Sequence, residues 1–212
     1  MERKRIDEKS DTHKNNKRKP SGAAVMRTDL TEALFVSLFE EWALNGYTGT
    51  SLEKVAKRIG AGKAAIYRRW PSKFAFASEA IKTATVALTD VKDHGSLEAD
   101  VHAYLLMFRR SLRHRLVRRI LPDLYAERLR SGELAPLIEG LSDFRRQLGH
   151  QLLDRAITRG EITESIDREM VLDMLPAALY WRMIISGKNM TRKDIDRQTI
   201  ALMASIKALS QL

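Results

Sequence analysis

Hydrophobic residues recur every three or four positions along most of the chain after Thr28, a spacing typical of amphipathic α-helices. The first such stretch has an apolar face made of Leu30, Leu34, Phe35, Leu38 and Trp42. Gly46 is placed to end it as a left-handed C-terminal cap. Later stretches of the same period lie at about 72–90, 96–114, 116–130, 136–159, 167–187 and 191–210. Alternating strand patterns are scarce, so the sequence predicts an all-α protein.

The segment before the first helix has a different composition. Residues 1–27 hold nine Lys or Arg and four acids, with almost no large apolar side chain. Such a segment buries too little surface to offset the entropy lost on ordering. Residues 1–26 are therefore predicted to be a disordered basic arm, which is either a solvated tail or an extra set of phosphate contacts.

A helix-turn-helix motif is predicted from about Leu52 to Trp70. Thr50 and Glu53 have the spacing of a capping box, which begins a helix by satisfying its free amides. The sequence Gly60-Ala61-Gly62 breaks that helix, and a second short helix begins at Lys63 and ends before Pro71. Two short helices joined by a tight glycine-containing turn are typical of DNA-binding motifs.

The second of these helices carries the candidate chemistry. Ile66 and Trp70 are spaced to turn inward, whereas Lys63, Tyr67 and Arg68 are spaced to face outward. Arginine can bind guanine O6 and N7 with two hydrogen bonds, and lysine and tyrosine can bind phosphate oxygens. Residues 54–78 contain seven Lys or Arg and no acid. The alternative is a basic helix face that contacts only solvent. It is disfavoured because the acid-free stretch 54–78 contains the glycine-containing turn between the two helices.

Charge and composition agree with that interpretation. The chain has a net charge of +10, which attracts polyanions, and it has 44% hydrophobic residues, as in ordinary globular proteins. It contains no cysteine, so it has neither disulfides nor thiolate metal sites. The N-terminus lacks the apolar segment of a secretion signal, and no run of about 18 apolar residues occurs. We therefore expect a cytoplasmic protein with no membrane partner.

The stretch from Gly46 to Lys73 strongly resembles the DNA-binding head of the TetR family of transcriptional repressors. The matching positions are Gly46, Tyr47, Thr50, Ser51, Gly62, Lys63, Tyr67, Trp70, Ser72 and Lys73. The resemblance is specific over about residues 27–80 and implies a head of three helices at 27–75, followed by a helical effector-binding and dimerisation domain at 76–212. It also implies the DNA contacts. Thr50 caps the second helix and, with Ser51, lies at a phosphate; Lys63, Ala64, Ala65 and Arg68 face base edges; Tyr67, Arg69 and Lys73 hold the backbone.

The family's two-helix dimer face is expected near the C-terminus. Asp167 is placed to cap one helix, and Thr191 and Asp194 begin another. The second helix has apolar residues spaced by four and three positions, a narrow seam that suits a partner helix. The alternative is that this seam packs within its own subunit. The expected dimer residues are Met174, Ala178, Ile195, Leu202, Ile206 and Leu209.

The resemblance also implies an unidentified small-molecule effector and no cofactor. Pro176 lies within a helical pattern and should kink it. Aromatic and Met residues in the stretches that usually line the family's cavity are Phe108, Tyr125, Tyr180, Trp181 and Met183, although such residues at helical spacing are also typical of plain core. The sequence thus predicts a homodimer that binds a palindromic operator in double-stranded DNA and is released by its effector.

Two other classes of function fit the sequence less well. An enzyme is disfavoured because the scattered histidines form no Glu-x-x-His or His-Glu-x-x-His pair, and no metal site or nucleophile motif is present. A DNA-binding or architectural protein without an effector is not distinguished by the head alone. The roughly 130 residues after residue 80 favour regulation, since a bare DNA reader does not need them.

Overall fold

The computed structural model describes residues 22–86 and 92–211, with side chains for 29–85 and 92–211. These residues form helices and contain no strand, so the all-α prediction is confirmed. The elements in chain order are α1 (Gly22–Gly49), α2 (Leu52–Arg58), α3 (Lys63–Tyr67), α4 (Lys73–Val86), α5 (Leu97–Arg113), α6 (Arg115–Arg130), α7 (Ala135–Thr158), α8 (Arg168–Tyr180), a π-helical turn (Trp181–Ile185) and α9 (Arg192–Leu209).

Helix α1 begins earlier than the sequence pattern indicated. Residues 22–26, assigned to the disordered arm, are helical, so that prediction is wrong for them. Ala23, Ala24 and Met26 are good helix formers, and extending an existing helix needs no new nucleus. The remainder of the predicted arm lies outside the described residues.

Gly46 interrupts α1 near its end, as predicted. Its φ of 71° and ψ of 168° fall in a region that only glycine occupies readily, and the chain then completes one more turn to Gly49. This bend turns the chain away from the axis of α1 and toward α2. The direction of α2 relative to α1 therefore depends on the backbone conformation of Gly46.

Helices α1 to α4 share a hydrophobic core with parts of α6 and α7, which we call the head core. Trp42, Val55, Ile66, Trp70 and Phe76 are all nearly inaccessible to solvent. The residues that α6, α7 and the loop between them contribute are Ile120, Leu124, Leu134, Leu137 and Ile138. The head thus rests on the following helices, with α1 packed along α6.

A second core, the body core, lies among α5, α7, α8 and α9. Helices α7 and α8 approach closely at Gly149, where a Cβ atom would lie 2.2 Å from Leu172 Cδ2. Helix α8 runs through Pro176 and then passes into the π-helical turn. In the described ranges, no helix combines the length and the apolarity that crossing a bilayer requires.

Candidate nucleic-acid interface

The N-cap of helix α2 is Ser51, one residue later than the capping-box pattern indicated. The Ser51 hydroxyl accepts a long hydrogen bond from the Lys54 amide at 3.4 Å, whereas Thr50 is only 7% exposed and donates to the Gly46 carbonyl at 2.7 Å. The predicted box of Thr50 and Glu53 is therefore wrong. Thr50 and Ser51 both carry a hydroxyl group, so the sequence does not show which of them caps the helix. In the structure Thr50 is buried and Ser51 is the cap. Ser51 is half-exposed, and its contact with a phosphate stays a prediction.

This assignment predicts different costs for two substitutions. Ser51→Ala removes the cap and should lower the free energy of unfolding by about 1 kcal/mol. Glu53→Ala should leave it nearly unchanged, because the Glu53 carboxylate is exposed and pairs with Lys63 rather than with the backbone. Urea denaturation of both variants is the measurement. A loss in Glu53→Ala with none in Ser51→Ala would restore the capping box of Thr50 and Glu53.

Helix α3 presents a polar face to solvent while anchoring itself from behind. Ile66 is fully buried, and the Trp70 ring stacks on Phe76 with centroids 4.4 Å apart. The exposed side chains are Lys63, Ala64, Tyr67, Arg68 and Arg69, and Ala65 is half-buried. The predicted inward and outward positions are confirmed, so every residue proposed to meet DNA from this helix except Ala65 is exposed.

Two of the exposed cations on this face already have partners. Lys63 Nζ lies 2.6 Å from Glu53 Oε1, and this pairing raises the pKa of Lys63 and lowers that of Glu53. Arg69 donates to the Thr31 hydroxyl at 2.7 Å. The Arg68 guanidinium has no hydrogen-bond or ion-pair partner within the described part of the chain. An exposed ion pair is weak, so an incoming phosphate can replace the Glu53 carboxylate.

The basic window from Lys54 to Ser78 is only partly free for DNA. Arg58 donates to the Ser37 carbonyl and to the buried Glu41 carboxylate, each at 3.0 Å, and so ties α2 to α1. Lys54 remains 68% exposed, and Lys57 is exposed as well. Arg58 therefore has a packing role that charge counting could not distinguish from a DNA contact.

Lys73 holds the junction between α1 and α2. Its ammonium donates to the carbonyls of Tyr47 at 2.7 Å and Thr48 at 3.2 Å, and it lies 4.4 Å from the centre of the Tyr47 ring. Of its three protons, one is left for a phosphate oxygen. The predicted phosphate contact by Lys73 stays a prediction, alongside a structural role that the sequence did not reveal.

The same junction is bound to the body by two acids that sequence reasoning missed. Asp123 on α6 accepts hydrogen bonds from the Trp42 indole and the Tyr47 amide, and Glu133 accepts one from the Tyr47 hydroxyl at 2.8 Å. Burial and the nearby Glu133 carboxylate raise the pKa of Tyr47, so its phenol stays a donor. The available signal for Asp123 was an acid directly after Pro122 in α6, a helix with five arginines and one other acid, Glu127.

Comparison with known proteins agrees over both halves of the chain. Residues 37–80 match the profile of bacterial regulatory proteins of the tetR family, and residues 91–201 match that of the tetracyclin repressor-like C-terminal domain. A DNA-binding transcriptional repressor TetR from Mycobacteroides abscessus is 32% identical over 152 residues, covering 68% of this chain and 76% of that protein.

The chain belongs to the TetR family of transcriptional regulators. Among solved structures, the TetR family transcription regulator SCO0332 is 27% identical, with a TM-score of 0.64 over 82% of this chain and 96% of that one. FadR from Bacillus subtilis, in complex with stearoyl-CoA, shares the fold at 16% identity, with a TM-score of 0.64 over 85% of this chain and 98% of that one. As a TetR-family member, the chain is a DNA-binding transcription factor and not an enzyme.

The residues expected to line the TetR-family effector cavity are not all close together. Tyr125 and Tyr180 form an edge-on pair with centroids 5.7 Å apart, while Phe108 is half-buried against Tyr104. Met183 belongs to the body core, and Trp181 is 65% exposed. Trp181 is therefore wrong as a cavity residue, because it points away from the core.

Two cavities occur elsewhere on the body. One of about 550 Å³ lies between the α7–α8 loop and the end of α9, and one of about 280 Å³ lies between α8 and α9. None of the five predicted effector residues lines either cavity. No cluster of side chains suited to a metal ion occurs among the residues that the structure describes.

The predicted dimer seam on α9 packs inside its own subunit. Ile195, Leu202 and Ile206 are buried in the body core, with α9 lying on α5, and Leu209 packs partly against the same core. Ile195, Leu202 and Ile206 are therefore wrong as dimer contacts, whereas the contact by Leu209 stays a prediction. The periodicity correctly identified an apolar face, but the partner that covers it is α5. Met174 and Ala178 are half-buried at the side of α8.

Large apolar side chains instead project from the opposite faces of α8 and α9. Both helices pack on α5 and also contact each other. We call their opposite faces the outward α8–α9 face; its residues are Met170, Ala177, Trp181, Ile185, Ile200 and Ala204. Trp181 and Ile200 are each 65% exposed. Such side chains at this density are typical of a surface that another protein covers.

Proposed function

We propose that this TetR-family protein is a homodimeric repressor that binds a palindromic operator and is released by a small-molecule effector. The observation that carries the proposal is the exposed face of α3, where Lys63, Tyr67 and Arg68 surround the small side chain of Ala64. A small residue lets the helix approach the bases, and the cations neutralise phosphates. The relative from Mycobacteroides abscessus is named a repressor, which supports repression rather than activation.

Dimerisation is proposed through the outward α8–α9 face. A helix of five residues reads only a few base pairs, so two heads are needed, held roughly 34–36 Å apart to reach successive major grooves. A second copy of the chain is a self-complementary partner for this face in a twofold arrangement. Such a regulator acts at chromosomal DNA, and we therefore place its work in the bacterial cytosol.

Release by an effector requires a ligand that prefers one arrangement of the heads over another. A coupling free energy on the order of 1–3 kcal/mol is enough to change operator occupancy severalfold or more. We propose that the effector enters the body between α5, α6 and α8, near Phe108, Tyr125 and Tyr180, with Met183 behind them. The fold accommodates a ligand in FadR, whose structure contains stearoyl-CoA.

Selection of bound fragments from the source genome, at a fixed salt concentration, tests the function. We expect recovered fragments to share a palindrome, and the protein to elute as a dimer in size-exclusion chromatography with light scattering. Candidate effectors would then be chosen from the genes beside the recovered sites. A protein that is monomeric and prefers no duplex over random competitor contradicts the proposal.

Arg68 is proposed to read a base, and this makes a specific prediction. Arg68→Ala should relax the preference at one position of each half-site by about 1–3 kcal/mol, because a two-bond contact to guanine is lost. Tyr67→Phe should instead weaken binding to all sequences to a similar extent, since it removes a phosphate contact. Competition binding with single-base operator variants measures both. An Arg68→Ala protein with unchanged base preference would show that Arg68 holds a phosphate.

A further inference from the structure

One carboxylate oxygen of α6 accepts two hydrogen bonds from the end of α1, beside the apolar contact between head and body. Asp123 Oδ2 accepts the Trp42 indole N–H at 2.6 Å and the Tyr47 backbone N–H at 2.8 Å. The donors lie on either side of Gly46, and Asp123 lies 76 residues beyond Tyr47 in sequence. A Cβ on residue 46 would lie 3.1 Å from Asp123 Oδ1, so glycine allows this close approach. Two donors from different directions fix the orientation of the α1 end, not just its distance.

Helix α6, which carries Asp123, is also bound near its N-terminal end. Arg118 Nη2 donates to Asn189 Oδ1 at 3.0 Å, in the loop that joins the π-helical turn to α9. Arg182, within that turn, donates to the Asn189 carbonyl at 3.3 Å. Arg118 and Asp123 are five residues apart, which is about 7.5 Å along a helix. A short length of α6, which includes Pro122, therefore connects the loop before α9 to the base of the head.

We propose that Asp123 is a positioning residue that fixes the angle of the head on the body and, through it, the half-site spacing that the dimer accepts. This inference rests on the proposed function, because spacing has a meaning only for a dimer with two heads. In a twofold dimer, the paired bodies set one part of the distance between recognition helices. The angle of each head sets the rest. Without Asp123, the end of α1 loses its hydrogen bonds to α6, and each head can shift on its apolar contact with α6 and α7 while α3 keeps its own surface.

Selection from a library of random duplexes tests this and does not require the operator sequence. The variants are Asp123→Ala, which removes the acceptor, and Asp123→Asn, whose amide oxygen can accept the same two bonds. Asp143→Asn, exposed on α7, is the matched control. We expect wild-type protein to disfavour a spacer changed by one base pair by about tenfold. Asp123→Ala should select the same half-site sequence but reduce the preference for the correct spacer to less than about threefold. Asp123→Asn and Asp143→Asn should keep the wild-type spacer preference.

Distances between the two heads provide an independent readout. The chain has no cysteine, so a spin label at Lys57→Cys, which is exposed on α2, is unique in each subunit. Pulsed electron resonance should give a narrow distance distribution for wild type and Asp123→Asn, and a broad one for Asp123→Ala. If Asp123→Ala fails to fold by circular dichroism, Trp42→Phe removes one donor and should broaden the distribution less.

The outcomes separate the inference from the function on which it rests. A dimer in which Asp123→Ala keeps both the narrow distribution and the wild-type spacing preference overturns the positioning role while leaving the operator-binding function intact. Absence of dipolar coupling in labelled wild type, together with random spacing among selected duplexes, overturns both.

Discussion

Ile200→Glu is expected to convert the dimer into monomers and to lower affinity for the full operator by about a hundredfold or more. Ile200 is 65% exposed at the centre of the outward face of α9, where the partner would bury it. A carboxylate placed in that apolar contact loses its hydration without gaining a partner. Two linked heads gain about 10²–10⁴ in affinity over one head, and the variant forfeits that gain. Light scattering and binding to full and half operators measure the two effects.

Leu129→Glu is the matched control for this prediction. Leu129 is an equally apolar and even more exposed residue, but it lies on α6, outside the outward α8–α9 face. The control protein should remain dimeric. If Ile200→Glu also stays dimeric with unchanged affinity, the second subunit binds another surface.

Gly149→Ala and Gly140→Ala are expected to change stability in opposite directions, although both lie on α7. At Gly149 the new methyl group would meet Leu172 Cδ2 at 2.2 Å, and Leu172 is buried in the body core with little room to move. Overpacking of this kind costs about 1–3 kcal/mol. At Gly140 no atom lies within 4 Å of the new methyl, so the gain in helix propensity, about 0.5–1 kcal/mol, should remain.

Thermal and urea unfolding of the two glycine variants provide the measurement. Because each variant makes the same chemical change in the same helix, the propensity contribution cancels in the comparison. A Gly149→Ala protein as stable as Gly140→Ala would mean that α7 and α8 can separate without cost at this point.

Features that depend on neighbours in sequence were predictable, apart from the cap of α2, which is Ser51 and not Thr50. The glycine-containing turn between α2 and α3, the cap at Asp167 and the capping box of Thr191 and Asp194 all formed where the pattern indicated. Each arises from hydrogen bonds or dihedral preferences within about four residues. Such preferences are encoded locally and survive in the folded chain.

Features that depend on distant partners were not predictable. The seam containing Ile195, Leu202 and Ile206 has the right period for a helix partner, but period alone does not distinguish α5 from a second subunit. Lys73 gives the same charge count whether it binds phosphate or the Tyr47 carbonyl. The contact of Asp123 with Trp42 joins residues 81 positions apart, and one sequence carries no record of that distance.

The head core has a consequence for building chimeric regulators from this protein. Its apolar interior is completed by Ile120, Leu124 and Leu137 from helices that belong to the other half of the chain. A fragment cut near residue 75 would leave those surfaces open on both pieces. Transplanting the DNA specificity onto another regulator therefore requires either carrying α6 and the first turn of α7 with it, or exchanging only the outer residues of α3.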